Sequence, residues 1–179
     1  LVASETELED PSLSADGKAL VYVAHDAGKF DLVLTRVGGG GRVRLTQDGL
    51  LKANPVFSPD GERIAFTRRR PGSELPEICI IPSLGGEPLP LVRNASAPVW
   101  SPDAKRLAYL LHTPGKPMYF ATAALDGTDQ RILIAGDGQY PFLREPAWSP
   151  DGETIALVRC TGGVAGEIWL VPSAGGAPR

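Results

Sequence analysis

Several features that mark other classes of protein are missing from this sequence. No run approaches the ~18 consecutive apolar residues that a membrane helix needs, so we expect no membrane insertion. The net charge of -3 provides no basic surface, which argues against a nucleic-acid partner. The start also lacks the basic and apolar succession of a signal peptide. Because the chain opens at Leu1 without Met, we expect a fragment or a processed product, and the missing leader leaves the compartment open.

Residues that carry chemistry are scarce as well. The cysteines are Cys79 and Cys160, and the histidines are His25 and His112. Each cysteine lies beside a strand-like apolar run in a different segment, so we predict buried free thiols rather than a disulfide. The histidines occupy equivalent loop positions without a third ligand, which favours loop histidines in solvent over a metal pair. Since no Gly-x-Ser-x-Gly elbow occurs either, the sequence predicts no catalysis, no metal and no cofactor.

Turn residues, in contrast, are abundant, and they repeat. Gly 21 and Pro 17 together exceed a fifth of the chain without a collagen-like period, which is typical of short strands joined by turns. One seven-residue motif recurs from prolines spaced by 44, 43 and 48 residues, close to the ~40–45 residues of a propeller blade. Its four copies are Pro11-Ser-Leu-Ser-Ala-Asp-Gly17, Pro55-Val-Phe-Ser-Pro-Asp-Gly61, Pro98-Val-Trp-Ser-Pro-Asp-Ala104 and Pro146-Ala-Trp-Ser-Pro-Asp-Gly152.

Each copy is followed by the same succession of strands. In the second repeat these are Ile64-Ala-Phe66, a polar loop, Glu77-Ile-Cys-Ile-Ile81, the turn Gly85-Gly86 and Pro88-Leu-Pro-Leu-Val92. No long apolar run shows helical spacing. The run Gly38–Gly41 aligns with these glycine turns and lacks the Lys-Ser/Thr of a phosphate-binding loop. We therefore predict an all-β fold, a β-propeller of four blades with four antiparallel strands each, forming one closed ring or half of a larger ring.

The repeat also predicts boundaries within a single propeller unit that spans residues 1–179. The predicted segments are an outer strand at 1–10 and blades at 11–46, 55–92, 98–134 and 146–179. The fourth repeat stops at Arg179, just before its outermost strand. We expect Leu1–Ser4 to supply that strand against Ile168–Val171, either within one chain or in a homodimer that closes an eight-blade ring.

The recurring motif has a turn chemistry that explains its residues. Pro presets φ, Asp can accept bonds from backbone amides, Gly takes a positive φ, and Ser can tie the turn to neighbouring backbone. A cation held by a ring of the four aspartates is the alternative, but symmetry demands the same turn in every blade. Ala104 departs from the pattern, at a cost of about 1 kcal/mol for Cβ at positive φ. The predicted structural turn residues are Ser14, Asp16, Gly17, Ser58, Asp60, Gly61, Ser101, Asp103, Ser149, Asp151 and Gly152.

We predict structural roles for the other conspicuous side chains, which are three tryptophans and a run of arginines. We expect Trp100 and Trp148 to pack between blades and Trp169 to belong to the core rather than to a ligand platform. The run Arg68–Arg70 precedes a loop, and a solvated charge run is favoured over contact with an acidic partner.

Taken together, the motif P-x-[WF]-S-P-D-G, the I/L-A-[FYL] strand, the glycine turn and the final L-T or L-V strand resemble the PD40 (TolB-like) WD40-type β-propeller repeat. The resemblance covers essentially the whole chain. It implies a propeller of the kind found in larger bacterial sensor or partner-binding proteins, and a periplasmic or extracellular location. Similar blades also form the propellers that gate prolyl-oligopeptidase-type enzymes.

Propeller geometry indicates where a binding site would lie. Ligands meet the end of the central channel that is fed by the loops entering the innermost strands, and the candidate residues there are Glu9, Asp10, Asn54, Arg144 and Glu145. Ser96 and Ala97 precede the third repeat proline at the same place. This mixture suits a protein or a small polar ligand, and a solvated rim is the alternative. The leading hypothesis is a non-catalytic binding or scaffolding module; a peptidase-gating propeller and a self-associating structural fragment are the alternatives.

Overall fold

The computed structural model describes residues 7–135, 141–161 and 166–179. These residues form strands joined by turns, and no helix occurs among them. The strands are β1 Glu7–Leu13, β2 Ala19–Asp26, β3 Lys29–Arg36, β4 Val43–Arg44, β5 Leu51–Phe57, β6 Arg63–Arg69, β7 Glu77–Pro82, β8 Leu89–Arg93, β9 Ala95–Trp100, β10 Arg106–Leu111, β11 Tyr119–Ala124, β12 Arg131–Ile134, β13 Pro141–Trp148, β14 Thr154–Thr161 and β15 Gly166–Pro172.

The strands assemble into four separate antiparallel sheets in chain order. Blade 1 is β1 to β4, blade 2 is β5 to β8, blade 3 is β9 to β12, and blade 4 contains β13, β14 and β15. Each strand pairs with its sequence neighbour, so every blade is a meander joined by hairpins. The predicted all-β propeller fold is confirmed.

The innermost strands begin earlier than the repeat prolines suggested. β1 begins at Glu7, β5 at Leu51 and β9 at Ala95, three or four residues before the corresponding proline. Residues 7–10 were predicted to belong to an outer strand of the last blade. That part of the prediction is wrong, because Glu7 pairs with His25 inside blade 1. The rest of that segment, including Leu1–Ser4, lies outside the described residues.

At the outer edge of blade 4, the last residue of the chain pairs with β15. The backbone N–H of Leu170 donates to the carbonyl of Arg179 at 2.9 Å, and the N–H of Arg179 donates to the carbonyl of Leu170 at 2.9 Å. A strand from Leu1–Ser4 would therefore share this edge with Arg179, and its pairing with Ile168–Val171 stays a prediction.

Three apolar seams join the blades face to face. Blades 1 and 2 share one buried cluster, blades 2 and 3 a second, and blades 3 and 4 a third. Trp100 is buried in the second seam, as predicted. Trp148 and Trp169 both pack against the third seam and are partly buried. Cys79 and Cys160 are both buried and are not joined in a disulfide, in agreement with the prediction.

The four blades follow one another as an arc. The innermost strands of neighbouring blades contact each other, β1 with β5, β5 with β9 and β9 with β13. In residues 7–135, 141–161 and 166–179, no buried cluster joins blade 4 to blade 1. We call the side of a blade that faces the preceding blade its leading face, and the other side its trailing face. Each seam therefore pairs one trailing face with one leading face.

Candidate functional site

The two ends of a blade differ in what they carry. At one end the innermost strand begins beside the loop between the second and third strands, since Leu51 pairs with Arg69. At the other end the innermost strand closes in the Ser-Pro-Asp-Gly hairpin, since Phe57 pairs with Ile64. We call these the mouth end and the turn end. The predicted binding residues lie at the first and the predicted structural turns at the second.

The turn end repeats one set of hydrogen bonds in all four blades. In blade 3 the Ser101 hydroxyl donates to Asp103 Oδ1 at 2.6 Å, and the same oxygen accepts the N–H of Lys105 at 3.1 Å. The N–H of Arg106 donates back to the Ser101 hydroxyl at 2.9 Å. Ala104 has a φ of 56°, the left-handed conformation that glycine adopts in the other three turns. The equivalent bonds involve Ser14 with Asp16, Ser58 with Asp60 and Ser149 with Asp151.

These bonds also fix the charge of the turn aspartates. The serine hydroxyl, followed by the backbone N–H, lowers the pKa of Asp60 below its usual value. Asp103 has its pKa lowered by the same two donors. Because both donors favour the carboxylate form, the aspartates stay ionised inside their own hairpins. Each carboxylate therefore already has partners that account for its place in the repeat.

At the mouth end, every innermost strand carries a β-bulge beside its repeat proline. The register of the pairing shifts after Glu9, after Ala53 and after Arg144, and the β9–β10 pairing shifts in the same way. The residue before the proline has a positive φ: 51° at Asp10, 50° at Asn54 and 53° at Ala97. Asp and Asn tolerate this conformation better than other non-glycine residues do. The bulges turn equivalent residues of neighbouring blades towards one another.

Hydrogen bonds run from bulge to bulge across the seams. The N–H of Asn54 in blade 2 donates to Asp10 Oδ2 of blade 1 at 2.7 Å. The N–H of Ala97 in blade 3 donates to the Thr67 hydroxyl of blade 2 at 3.1 Å, and that hydroxyl lies 3.4 Å from Asn54 Oδ1. A side chain of one blade thus caps the bulge amide of the next. Asp10 and Asn54 therefore have a structural task beside any binding role.

The structure brings three of the five predicted mouth residues into one row. Glu9, Asp10 and Asn54 are all exposed, and the first two lie on blade 1 beside the third on blade 2. The backbone of Arg144 pairs with Val158 in the equivalent part of blade 4. The side chains of Arg144 and Glu145 lie outside the described residues.

A buried group of charges, which the sequence did not predict, lies at the mouth end of the seam between blades 1 and 2. The side chain of Lys52 is fully buried; its Nζ donates to Asp48 Oδ1 and, at 3.1 Å, to the carbonyl of Phe30. It also lies 3.7 Å from Asp31 Oδ1. Buried charges persist in proteins when they are paired in this way. We call Asp31, Asp48 and Lys52, with the pair Arg68 and Glu77, the ion cluster.

The prediction for Arg68–Arg70 was wrong in part. Arg68 is largely buried and donates through Nε at 3.1 Å and Nη2 at 2.8 Å to Glu77 Oε1. Arg70 Nη2 lies 3.0 Å from Glu77 Oε2, at angles that do not make a hydrogen bond. Arg69 remains exposed at the mouth end. Arg68 is thus a structural residue, whereas Arg69 and Arg70 face solvent.

The histidines also differ from the prediction of loop side chains in solvent. The His25 ring stacks on Phe30 with centroids 4.2 Å apart, and its Nδ1 lies 3.1 Å from Glu7 Oε2. His112 Nε2 lies 2.7 Å from the Ser96 hydroxyl, and burial lowers the pKa of this histidine. Ser96 and His112 therefore form a serine–histidine pair that the sequence spacing did not suggest. Within the described residues, no carboxylate bonds to the His112 ring.

Open clefts lie at the turn end of two seams. The cleft between blades 1 and 2 has a volume of about 790 Å³, with Asp16, Lys18 and Asp60 among its lining residues. The cleft between blades 3 and 4 measures about 520 Å³ and is bordered by Trp148 and Arg106. At the mouth end, a smaller cavity of about 170 Å³ lies beside Arg70 and Arg93.

Other kinds of site receive no support from the described part of the chain. No helix there is long and apolar enough to cross a membrane. No group of three or more His, Cys, Asp or Glu residues in that part is positioned to hold a metal ion. Burial raises the pKa of Cys79 to about 12, so its thiol is protonated at neutral pH and is a poor nucleophile.

Comparison with known proteins gives a consistent picture. The family model PD40, described as the TolB beta propeller domain, matches residues 1–173. Tricorn protease homolog 2 of Streptomyces coelicolor is 43% identical over 77 residues, which are 42% of this chain and 6% of that protein. TolB from Acinetobacter baumannii superposes with a TM-score of 0.79 at 22% identity, over 99% of this chain and 44% of that one.

A solved prolyl endopeptidase superposes with a TM-score of 0.70 at 18% identity, over 97% of this chain and 29% of that one. At such identities the superpositions establish the fold alone. The chain spans less than half the length of each of these proteins.

Proposed function

The chain belongs to the PD40 family of TolB β-propeller domains, and we propose that it acts there as a non-catalytic binding or scaffolding module. The binding surface is the mouth end, and its partner is a protein or a small polar ligand. One observation supports this most. The turn end repeats a single hairpin four times, whereas the exposed residues Glu9, Asp10 and Asn54 make the mouth end different from blade to blade.

Within the mouth end, Glu9 is the residue best suited to contact a partner. Asp10 and Asn54 already bond to each other across the seam. Glu9 is exposed and lies next to them, and Arg69 presents a positive charge on blade 2. A surface with separated negative and positive groups favours partners of complementary charge and fixes their orientation.

Peptide selection followed by calorimetry tests this proposal. A peptide selected by phage display on the immobilised chain is titrated against the parent and two charge-reversal variants. We expect Glu9→Lys, at the mouth end, to weaken binding by about tenfold or more, and Glu62→Lys, exposed at the turn end, to leave it unchanged. Binding that depends on Glu62 and not on Glu9 would contradict the proposal, as would a selection that enriches no peptide.

The non-catalytic part of the proposal has its own test at Ser96 and His112. A serine nucleophile needs an oriented base and donors for the oxyanion, and no carboxylate bonds to His112 in the described residues. We expect no hydrolysis of 4-nitrophenyl acetate or of casein peptides above the rate of heat-denatured protein. Turnover that survives repurification and is lost in Ser96→Ala would overturn this expectation.

A gating propeller of a prolyl-oligopeptidase-like peptidase is the alternative from another class. It is favoured by the similarity to a prolyl endopeptidase and by the 43% identity to a tricorn protease homolog. The full reading frame distinguishes the two: an α/β-hydrolase segment beside the propeller would support the peptidase, and its absence the binding module.

The wider setting follows from the relatives. Both named organisms among them are bacteria, which supports a place in a larger bacterial sensor or partner-binding protein. A periplasmic or extracellular location is the corresponding proposal, and fractionation of cells that express the full-length gene checks it.

Self-association is a second candidate function, in which the chain is a structural unit of a larger propeller. The observation in its favour is that Ile168 in blade 4 is exposed, although it lies on the face that other blades bury. A homodimer that closes an eight-blade ring is one form of such an assembly.

A further inference from the structure

The seam between blades 2 and 3 holds an arginine side chain at its turn end. Arg63 lies over the Trp100 ring, with its guanidinium carbon 5.1 Å from the ring centroid. Its Nη2 donates at 3.3 Å to Asp60 Oδ2 and at 3.3 Å to the carbonyl of Ala104 in the next blade. A ring face, a carboxylate oxygen and a backbone carbonyl therefore form a site for one guanidinium group.

The repeat places the same three groups at the turn end of the seam between blades 3 and 4. The equivalent residues are Trp148, Asp103 and Gly152, and all three border the cleft of about 520 Å³. The hairpin bonds of Asp103 go to Oδ1, and in Asp60 it is the other oxygen, Oδ2, that holds the arginine. The Gly152 carbonyl accepts the Ser173 hydroxyl at 2.7 Å and has a second lone pair for another donor. The cleft therefore has the groups of a guanidinium site.

The arginine that could fill this cleft from within the chain is held elsewhere. Arg106 is equivalent to Arg63, but its Nη1 donates to Asp129 Oδ2 at 2.6 Å and its Nη2 to the Asp129 carbonyl at 2.8 Å. In the part of the chain that the structure describes, Arg106 makes no cation–π contact with Trp148. Arg131 also bonds to the Asp129 carboxylate, at 2.9 and 3.0 Å. Both cations that border the cleft are thus already paired with a carboxylate.

We propose that the cleft between blades 3 and 4 binds an arginine side chain of a polypeptide partner. The seam between blades 2 and 3 shows the arrangement, in which the guanidinium group lies over the indole and donates to the carboxylate and the carbonyl. A planar guanidinium can stack on a ring and donate in fixed directions at once, whereas an ammonium is a point charge. The cleft is open and larger than a guanidinium group, so a peptide can follow its side chain in. Binding here goes beyond the mouth end and does not depend on it.

An NMR titration with the blocked tripeptide acetyl-Gly-Arg-Gly-amide tests this proposal. We expect saturable shifts of the backbone amide signals of Gly152 and Ser173, which border the cleft. Trp148→Leu and Asp103→Asn should each weaken binding by about fivefold or more, because the first removes the ring face and the second the charged acceptor. Asp60→Asn makes the same change in the hairpin of the seam that already holds an arginine, and it should bind the tripeptide like the parent.

Two matched peptides test the chemistry of recognition. The tripeptide with citrulline in place of arginine has the same shape without the charge and should produce no shift. The lysine tripeptide should bind more weakly than the arginine one. Citrulline binding as tight as arginine binding would overturn the proposal. Agmatine, which carries the guanidinium group without a peptide, should bind more weakly; equal affinity would overturn the assignment to a polypeptide.

The variants decide the location of binding. A parent without saturable shifts overturns the proposal, and so does equal weakening by Asp103→Asn and Asp60→Asn. Circular dichroism checks the folding of Trp148→Leu; if that variant does not fold, Asp103→Asn decides, because its amide oxygen still accepts the hairpin bonds. Glu9→Lys should bind the tripeptide like the parent, so failure here leaves the proposed function of the mouth end to its own test.

Discussion

The turn end and the mouth end of this propeller are formed by the same strands, yet they follow different rules. At the turn end, Ser101 and Asp103 find all their partners within five residues of Ser101, and the other three blades repeat the arrangement. At the mouth end, Asp10 bonds to Asn54, 44 residues away, and Lys52 approaches Asp31 across a seam. Local bonds repeat because the sequence repeats. Contacts between blades differ because each seam joins different residues.

The two ends also contribute to stability in different ways. The turn end consists of four equivalent hairpins, one in each blade, so losing the hydrogen bonds of one hairpin destabilises only that blade. At the mouth end, a buried charge such as Lys52 has partners in blade 1 and in the connection between blades. Removing one partner from a buried charge leaves the other uncompensated. The mouth end is therefore the more sensitive of the two.

The largest expected effect is at Lys52. We expect Lys52→Ala to lower the free energy of unfolding by about 3–5 kcal/mol, because Asp31 and Asp48 would lose their buried cation. Asp31 would keep only Arg44, which is half-exposed and lies 3.6 Å away. Chemical denaturation measures the change. Lys18→Ala, which removes an exposed lysine from the turn end, should change stability by less than about 0.5 kcal/mol. Equal effects of the two substitutions would remove the distinction between the ends.

A smaller effect is expected at Asp60 in the turn end. Asp60→Ala should lower stability by about 1–2 kcal/mol, since the Ser58 hydroxyl and the Glu62 N–H lose their acceptor. Thermal or urea unfolding provides the measurement, and peptide binding at the mouth end should not change in folded protein. Asp103→Ala should match it closely if the hairpins are equivalent. An unchanged melting temperature together with the loss of a bound cation would instead favour the carboxylate-ring alternative.

The tryptophans show where equivalence at the turn end breaks down. Trp100 Nε1 donates to the carbonyl of Val56 at 3.1 Å, and Arg63 lies over its ring at 5.1 Å. Trp148 Nε1 is buried without a hydrogen-bond partner in the described part of the structure, and Arg106 bonds to Asp129 instead. Trp100→Phe should therefore cost about 1 kcal/mol more than Trp148→Phe. Equal costs in denaturant unfolding would mean that the indole N–H contributes nothing in the middle seam.

The smallest effect concerns Ala104, which occupies the glycine position of its turn. Ala104→Gly should raise the free energy of unfolding by about 0.5–1 kcal/mol, because glycine adopts a φ of 56° without strain. The reverse change in blade 2, Gly61→Ala, should lower stability by a similar amount, since Gly61 has a φ of 74°. A destabilising Ala104→Gly would show that packing of the methyl group outweighs the backbone strain.

The sequence predicted the turn end in detail and the mouth end only in outline. Ser58, Asp60 and Gly61 could be assigned to a hairpin because the groups they bond are a few residues away. The placement of Trp100 and Trp148 in seams followed from the same repeat. The blade boundaries were less accurate, since the innermost strands continue through the bulges to Leu51 and Ala95 and do not start at the prolines.

By itself, the sequence determined the number of blades, their strand order and their turns, because these depend on short-range patterns that recur four times. Only the tertiary structure decided which side chains meet across the seams. It buried Lys52 among carboxylates, brought His112 within 2.7 Å of Ser96, and left Ile168 exposed where its equivalents are buried. These outcomes depend on which blade lies beside which. The spacing of residues along the chain does not show which blade lies beside which. The third strand of a blade has a similar apolar sequence throughout, yet it is covered in blades 1 to 3 and exposed in blade 4.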